Sequence, residues 1–303
     1  VRFRVDGILR NVMSVPRNLR NDVNSRIKIM ANLDITERRR PQDGRIQTEI
    51  DGVEVDMRIS TLPTIHGEKI VARVLNKSHG VLSIDQFGFS QTSTNKILRT
   101  LRLNQGLLIV TGPTGSGKTT TLYGCLAHLN TVENNIITVE DPVEYQLPGI
   151  NQVQINHKVG LDFATGLRTV LRQDPDIIMV GEIRDTETAE MAVRSALTGH
   201  LVLTTLHTNN TVATITRLLD MGIAPYLLSS TITALVSQRL VRKICPDCKT
   251  EVPLHDPLMT RYIESLGFTA PEKVFEGKGC PACHDTGYRG RLAIEEILLM
   301  NKD

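Results

Sequence analysis

Residues 112–119 read G-P-T-G-S-G-K-T, the G-x-x-x-x-G-K-[ST] spacing of a phosphate-binding loop. The apolar run Leu107, Leu108, Ile109 and Val110 precedes it as a buried strand, and Leu122, Cys125, Leu126 and Leu129 follow at helical spacing. The motif therefore lies between a strand and a helix, the context its chemistry needs. Small residues let the backbone curl until successive N–H groups face phosphate oxygens, and the helix N-terminus adds its dipole. The expected nucleotide-binding segment is Gly112, Pro113, Thr114, Gly115, Ser116, Gly117, Lys118, Thr119 and Thr120. Lys118 is expected to reach the β- and γ-phosphates of ATP, and the Thr119 hydroxyl to hold Mg²⁺.

From about residue 92 onward strands and helices alternate. Strand patterns at 107–111, 136–140, 152–156, 176–180 and 201–206 are joined or followed by helical patterns at 163–172, 186–198 and 211–221. In the second of these helices Ala189, Ala192, Val193, Ala196 and Leu197 share a face. Such alternation specifies an α/β core with a mostly parallel sheet and helices on both sides. Residues 1–75 read differently. Leu19, Val23, Ile27 and Met30 mark a helix, alternating runs at 45–50 and 53–59 flank Asp51-Gly52 as a hairpin, and 70–75 is a further strand. The expected organisation is a small α+β domain over 1–78, a linker over 79–91 that grows out of the Asn76-Lys77-Ser78-His79-Gly80 stretch, and a larger α/β domain over 92–303. The opening V-R-F-R-V-D-G reads as mid-strand, so a preceding N-terminal part is expected.

Three further segments fall at predicted strand ends, where ligands bind in open α/β sheets. V-E-D-P-V-E at 139–144 puts Glu140, Asp141 and Glu144 within five residues, and these carboxylates repel one another unless a cation or substrate lies nearby. D-I-I-M-V-G-E-I-R-D at 176–185 is an apolar strand delivering an acid beside the P-loop, an arrangement that helps to hold Mg²⁺ or water. That acid ordinarily follows the apolar run directly. Here Gly181 intervenes, and Glu182 takes the role one residue later. His200 and His207 flank the strand at 201–206; His207, at its carboxyl end, reads as a γ-phosphate sensor, whereas His200 receives no role. Arginine supplies positive charge bidentately where a γ-phosphate develops negative charge. Arg58 and Arg73 lie in strands of the first domain, Arg168 and Arg184 beside the nucleotide core.

Cys245-Pro-Asp-Cys248 and Cys280-Pro-Ala-Cys283 form two knuckles that aim four thiolates at one point, a closed tetrahedral shell for a structural Zn²⁺. The 31 residues between them exceed the spacing of a short zinc ribbon, so extra structure is inserted, over about 243–290. Redox pairs or disulfides are the alternative, disfavoured beside an intracellular type of nucleotide site. Cys125, on the apolar face of the P-loop helix, reads as core.

Taken in order, these segments resemble the secretion ATPase superfamily of type II secretion and type IV pilus assembly motors. The match includes P-Q-D-G-R at 41–45, S-T-L-P at 60–63, the P-loop extended to T-T-T at 119–121, the "Asp box" at 139–144, the shifted Walker B segment at 176–185 and the "His box" at 199–208. The resemblance implies a cytoplasmic, hexameric ATPase with a RecA-like core preceded by a small PAS-like α+β domain. Such a motor sits peripherally at the inner membrane, where a platform protein and a cytoplasmic recruitment protein are its partners, and it drives pilin or pseudopilin subunits. It also implies that Glu144 is the water-activating base, that Glu182 is the Walker B acid, and that Arg58, Arg73, Arg168 and Arg184 gather around the phosphates. The tetracysteine insert is typical of assembly motors and absent from retraction motors, which points to the assembly class.

Two other classes fare worse. A nucleic-acid motor needs a basic surface and stacking residues, but 35 Lys and Arg offset 33 Asp and Glu, aromatics are 4% and tryptophan is absent, so no nucleic-acid partner is expected. A small-molecule kinase needs an acceptor site or lid, and no pattern for either is present. No apolar run reaches the length of a membrane-spanning helix.

Overall fold

A computed structural model describes residues 1–76 and 82–300. The N-terminal part begins with an antiparallel pair, β1 (Arg2–Val5) and β2 (Ile8–Asn11), followed by α1 (Arg20–Met30). An antiparallel meander follows, with β3 (Gln42–Ile50), β4 (Val53–Thr64) and β5 (Gly67–Asn76) in sequence order. Ile50 pairs with Val53, which leaves Asp51-Gly52 as the two-residue turn that its composition specifies. Ala31, Ile46 and Ile59 form the small core, with Ile27, Leu33, Met57 and Ile70 packed on it. Three of the four apolar residues that mark α1 in the sequence, Leu19, Val23 and Met30, stay exposed. A three-stranded sheet is too narrow to cover the whole stripe. The helix is fastened instead by buried Lys28, which pairs with the Glu68 carboxylate and donates to the Glu37 carbonyl at 2.7 Å.

Residues 79–81 of the linker read over 79–91 lie outside the described residues. Within the rest of it, the short turn at Ile84–Phe87 buries both of its end residues, and the aromatic ring lies hard against Gly124. The chain then runs α2 (Gln91–Leu101), β6 (Gly106–Thr111), α3 (Lys118–Leu129), β7 (Ile136–Glu140), β8 (Asn151–Gln154), α4 (Phe163–Val170), β9 (Ile177–Val180), α5 (Thr186–Leu197), β10 (Leu201–Leu206), α6 (Thr211–Asp220), α7 (Pro225–Thr231) and β11 (Ile232–Ile244). An excursion of β12 (Lys249–Pro253), α8 (Pro257–Ser265) and β13 (Lys273–Gly277) leads back to β14 (Tyr288–Leu299). The main sheet has the order β14-β11-β6-β10-β9-β7-β8 and is parallel except for β14, which runs antiparallel to β11. This is the expected α/β fold with a mostly parallel sheet.

Strand alternation divides the core in two. Leu107 and Ile109 of β6 face a cluster built with α4, α5, α6 and α7, while Leu108 and Val110 face α3 and Ile97 and Leu101 of α2. Burial on both faces is why β6, β7, β9 and β10 read as mostly apolar runs, unbroken only in β9. Side chains cap the helices that leave this sheet: Asp162 accepts from Thr165 N, Asp185 from Thr188 N and Asn210 from Ala213 N. Helix α3 departs from that pattern. Its N-cap is Gly117, with no side chain to satisfy the first N–H groups, so that end is left open to an anion.

Candidate nucleotide-binding and tetracysteine sites

At the end of β6 the chain turns at Gly112 with φ 144°. A Cβ there would overlap the Gln238 carbonyl oxygen and lie 2.7 Å from Ser116 Oγ, so only glycine fits. Gln238 on the neighbouring strand β11 braces the loop, donating to Ser116 O at 2.7 Å and accepting from Thr121 Oγ1 at 2.8 Å. Lys118 folds back over the loop, its Nζ donating to Gly112 O at 2.9 Å and Pro113 O at 3.1 Å. Burial holds its ammonium below the ordinary lysine range, with the Glu182 carboxylate opposing that shift. Ser116 Oγ is buried without a hydrogen-bond partner among the described residues, whereas Thr119 is exposed. A cation, an orphaned hydroxyl and an uncapped helix end surround one turn of backbone, and a triphosphate with its Mg²⁺ suits that set.

The three clustered carboxylates each find a separate answer to their repulsion. Glu140, the last residue of β7, is buried and accepts from Thr138 Oγ1 at 2.6 Å, Gln152 Nε2 at 3.1 Å and the Tyr123 hydroxyl. Asp141 faces Arg184 at 3.6 Å and His157 at 3.9 Å. Glu144 pairs with Arg58 Nη1 at 2.9 Å, and Arg58 Nη2 donates to Val143 O at 2.6 Å. Thus the meander already reaches the Asp box within one chain. No substrate is needed to hold these acids.

Glu182 lies one residue past the position usual for its role, and the usual position is tight. Gly181 N donates to Val139 O at 2.8 Å, and a Cβ on Gly181 would lie 3.3 Å from that oxygen and 3.5 Å from Glu140 Cα. At the next position the Glu182 carboxylate emerges between Arg184, which pairs with it, and His207 Nε2 at 3.5 Å. Its field also reaches Lys118. Lys118, Asp141, Glu182, Arg184 and His207 therefore meet at the carboxyl ends of β6, β7, β9 and β10.

Other expected site residues lie differently. Arg168 on α4 is exposed and pairs with Glu187 in the first turn of α5 rather than with an Asp-box acid. Arg73 is exposed and makes no ion pair among the described residues, but it lies directly across from Arg58, which in turn lies across from Arg45. The three arginines form one row on one face of the meander. Sequence reading missed Arg45, whose guanidinium is held on buried Asp56 with Nε at 2.7 Å. It also missed Gln238, in a strand that went unread, and Tyr123, in the apolar helix that follows the P-loop. His200 is at the opposite end of β10, where its Nδ1 lies 2.9 Å from Ser195 O, a structural position.

The two cysteine knuckles converge as their spacing requires. The sulfurs of Cys245 and Cys280 are 3.9 Å apart, as are those of Cys248 and Cys283, and Cys280 to Cys283 is 3.7 Å. A tetrahedral zinc with bonds of about 2.3 Å separates its sulfurs by roughly 3.8 Å. All four thiols are free of disulfides. Burial opposes ionisation of Cys283, yet the N–H groups of Cys280 and Gly287 at 3.2 Å draw its thiol below the usual range. The donor set fits a closed metal site.

The family model described as type II/IV secretion system protein matches residues 1–303. The chain belongs to that family. It is 52% identical over 301 residues to the type II secretion system protein E of Pseudomonas aeruginosa, covering 99% of this chain and 60% of that protein. It is 51% identical over 304 residues to the type IV pilus assembly ATPase PilB of Myxococcus xanthus, covering 98% and 53%. The chain thus spans about 60% or less of the length of these secretion-family relatives. Among solved structures, the pilus retraction motor PilT with bound ADP matches with a TM-score of 0.64 at 27% identity, over 99% of this chain and 76% of that one. The resemblance carried by the six ordered motifs is borne out.

Proposed function

We propose that this chain is the catalytic core of a hexameric, cytoplasmic ATPase that turns ATP hydrolysis into mechanical work for assembling pilin or pseudopilin filaments. The observation that carries the reading is the meeting of Lys118, Glu182, Arg184, His207 and the Asp box beside an uncapped P-loop helix. Lys118 binds the β- and γ-phosphates, while Thr119 and Glu182 would hold Mg²⁺, which neutralises charge on the phosphates when bound. Glu144 takes a proton from the attacking water as the new bond to the γ-phosphorus forms. The β–γ bridging bond breaks and its electrons leave with ADP. Arg58, Arg73 and Arg184 balance the charge that develops, Arg168 joins them only by leaving Glu187, and His207 senses the γ-phosphate through Glu182. The division into a small α+β domain over 1–78, a linker over 79–91 and a RecA-like domain over 92–303 gives this mechanism two bodies that close on nucleotide. The partners in this reading are an inner-membrane platform protein and a cytoplasmic recruitment protein. Identities of 52% and 51% to a secretion protein and a pilus ATPase weigh the two machines equally.

Phosphate release, measured beside sedimentation across a range of protein concentrations, tests the reading. Turnover per chain should rise steeply as hexamers form and should not respond to added DNA. A turnover independent of assembly state would overturn the ring mechanism. Arg58 bears on the same point, since it holds Glu144 before any nucleotide arrives and must exchange that carboxylate for phosphate on closure. Arg58→Ala and Arg73→Ala should therefore lower kcat about 10²-fold or more while leaving affinity for a non-hydrolysable analogue nearly unchanged, as for contacts made in the transition state. Parental rates for both under ring-forming conditions would make them surface charges.

For the tetracysteine site we propose structural Zn²⁺. Metal analysis of reduced protein should find close to one zinc per chain. Chelation or Cys283→Ala should loosen the segment 243–290 to proteolysis, because the metal replaces a core that this excursion lacks: α8 buries none of its residues. Reduced protein containing no zinc would refute the site.

A further inference from the structure

Tyr123 lies on α3 one helical turn beyond Thr119, so the helix that opens at the P-loop carries it. Its ring is fully buried and packs edge-on against Tyr145, with centroids 4.7 Å apart. The hydrogen bonds at its hydroxyl have only one consistent direction. Glu140 can only accept, so the phenol proton goes to Glu140; the Glu144 N–H then donates to the phenol oxygen at 3.2 Å. Gln152 completes the clamp: its Oε1 accepts from Leu147 N at 2.7 Å, which orients Nε2 toward Glu140 at 3.1 Å and Tyr145 O at 3.2 Å. Burial, and after it the adjacent Glu140 carboxylate, keeps the Tyr123 hydroxyl protonated far above the usual tyrosine range.

The two ends of Glu144 are thus held by different parts of the molecule. Its carboxylate is held by Arg58 on β4, its backbone N–H by Tyr123 on the P-loop helix. When Arg58 turns to phosphate, only the second hold remains. We propose that Tyr123, oriented by Glu140, is a positioning residue that fixes Glu144 relative to the phosphate-binding loop. This inference rests on Glu144 acting as the base. It adds that the base is registered to the nucleotide by the P-loop helix itself and not by the first domain.

Tyr123→Phe removes one oxygen and keeps the ring. In protein whose thermal midpoint stays near the parental value, kcat for ATP should fall about 10–100-fold while affinity for a non-hydrolysable analogue changes less than about threefold, the split expected of lost alignment. In a Glu144→Gln background the same change should cost less than about twofold, because both act through one group. Amide exchange at Glu144 should quicken in Tyr123→Phe whatever the role of the carboxylate. Glu140→Gln keeps an oxygen acceptor for the phenol but loses the one for Gln152 Nε2, so in protein whose thermal midpoint stays near the parental value it should retain more turnover than Tyr123→Phe and keep the Glu144 amide protected. Unchanged amide exchange, an equal kcat loss in the Glu144→Gln background, or a Glu140→Gln variant worse than Tyr123→Phe each overturns the proposal. Faster exchange combined with parental turnover in Glu144→Gln supports the placement of Glu144 by Tyr123 and overturns the base assignment alone.

Discussion

Lys118→Ala should reduce ATP hydrolysis by at least about 10³-fold, the upper range for removing one preorganised charge from a developing anion. Nucleotide affinity should fall as well. The loss goes beyond one ion contact, since Lys118 also ties the Gly112 and Pro113 carbonyls, and without it the loop loses the clamp that keeps its N–H groups turned inward. The pH dependence has a definite sign. Burial lowers the Lys118 pKa in the free protein, and a bound triphosphate favours the charged form, so affinity should decline on the alkaline side as pH rises through that lowered value. Steady-state phosphate release and analogue titration on folded protein measure both effects. Turnover near parental from Lys118→Ala would remove the nucleotide assignment.

Glu144→Gln should separate binding from chemistry. Mg-ATP should still bind, because the carboxamide keeps the shape of the side chain and an oxygen facing Arg58, while hydrolysis slows about 10²–10⁴-fold for want of a general base. Glu182→Gln should instead alter the metal dependence, since among the described residues the Glu182 carboxylate pairs with Arg184 and His207 near Lys118 and reaches the Asp box only through Arg184. A single-turnover experiment with labelled ATP distinguishes the two. Trapping of ATP by Glu182→Gln together with an active Glu144→Gln would reverse the assigned roles.

The candidate nucleotide site was legible because its signals are local. The P-loop, the Asp51-Gly52 turn and the cysteine knuckles are each complete within a few residues, so spacing alone specifies their geometry. The strand order β6-β10-β9-β7-β8 was not legible, because parallel neighbours far apart in sequence leave no periodic mark. For the same reason β11 and β14 went unread, although their pairing forms one edge of the sheet. Tyr123 and Gln238 show a second limit. Periodicity registers that a position is buried, but not that a hydroxyl or amide in it meets Glu140 or Ser116 across the fold. Arg168 shows the converse, a residue assigned by motif whose guanidinium is engaged by Glu187.

Strand β11 has a mechanical consequence. At one point along it Gln238 grips the P-loop; seven residues later the strand has delivered Cys245 to the tetracysteine knot. At about 3.3 Å per residue this is an arm of roughly 23 Å, so a tilt of roughly 5° at Gln238 becomes about 2 Å at the cysteines. The antiparallel ladder to β14 stiffens that arm along most of its length. The knot lies at the far end of an arm whose near end is the phosphate-binding loop, so a probe attached near Cys245 should move if that loop tilts the strand.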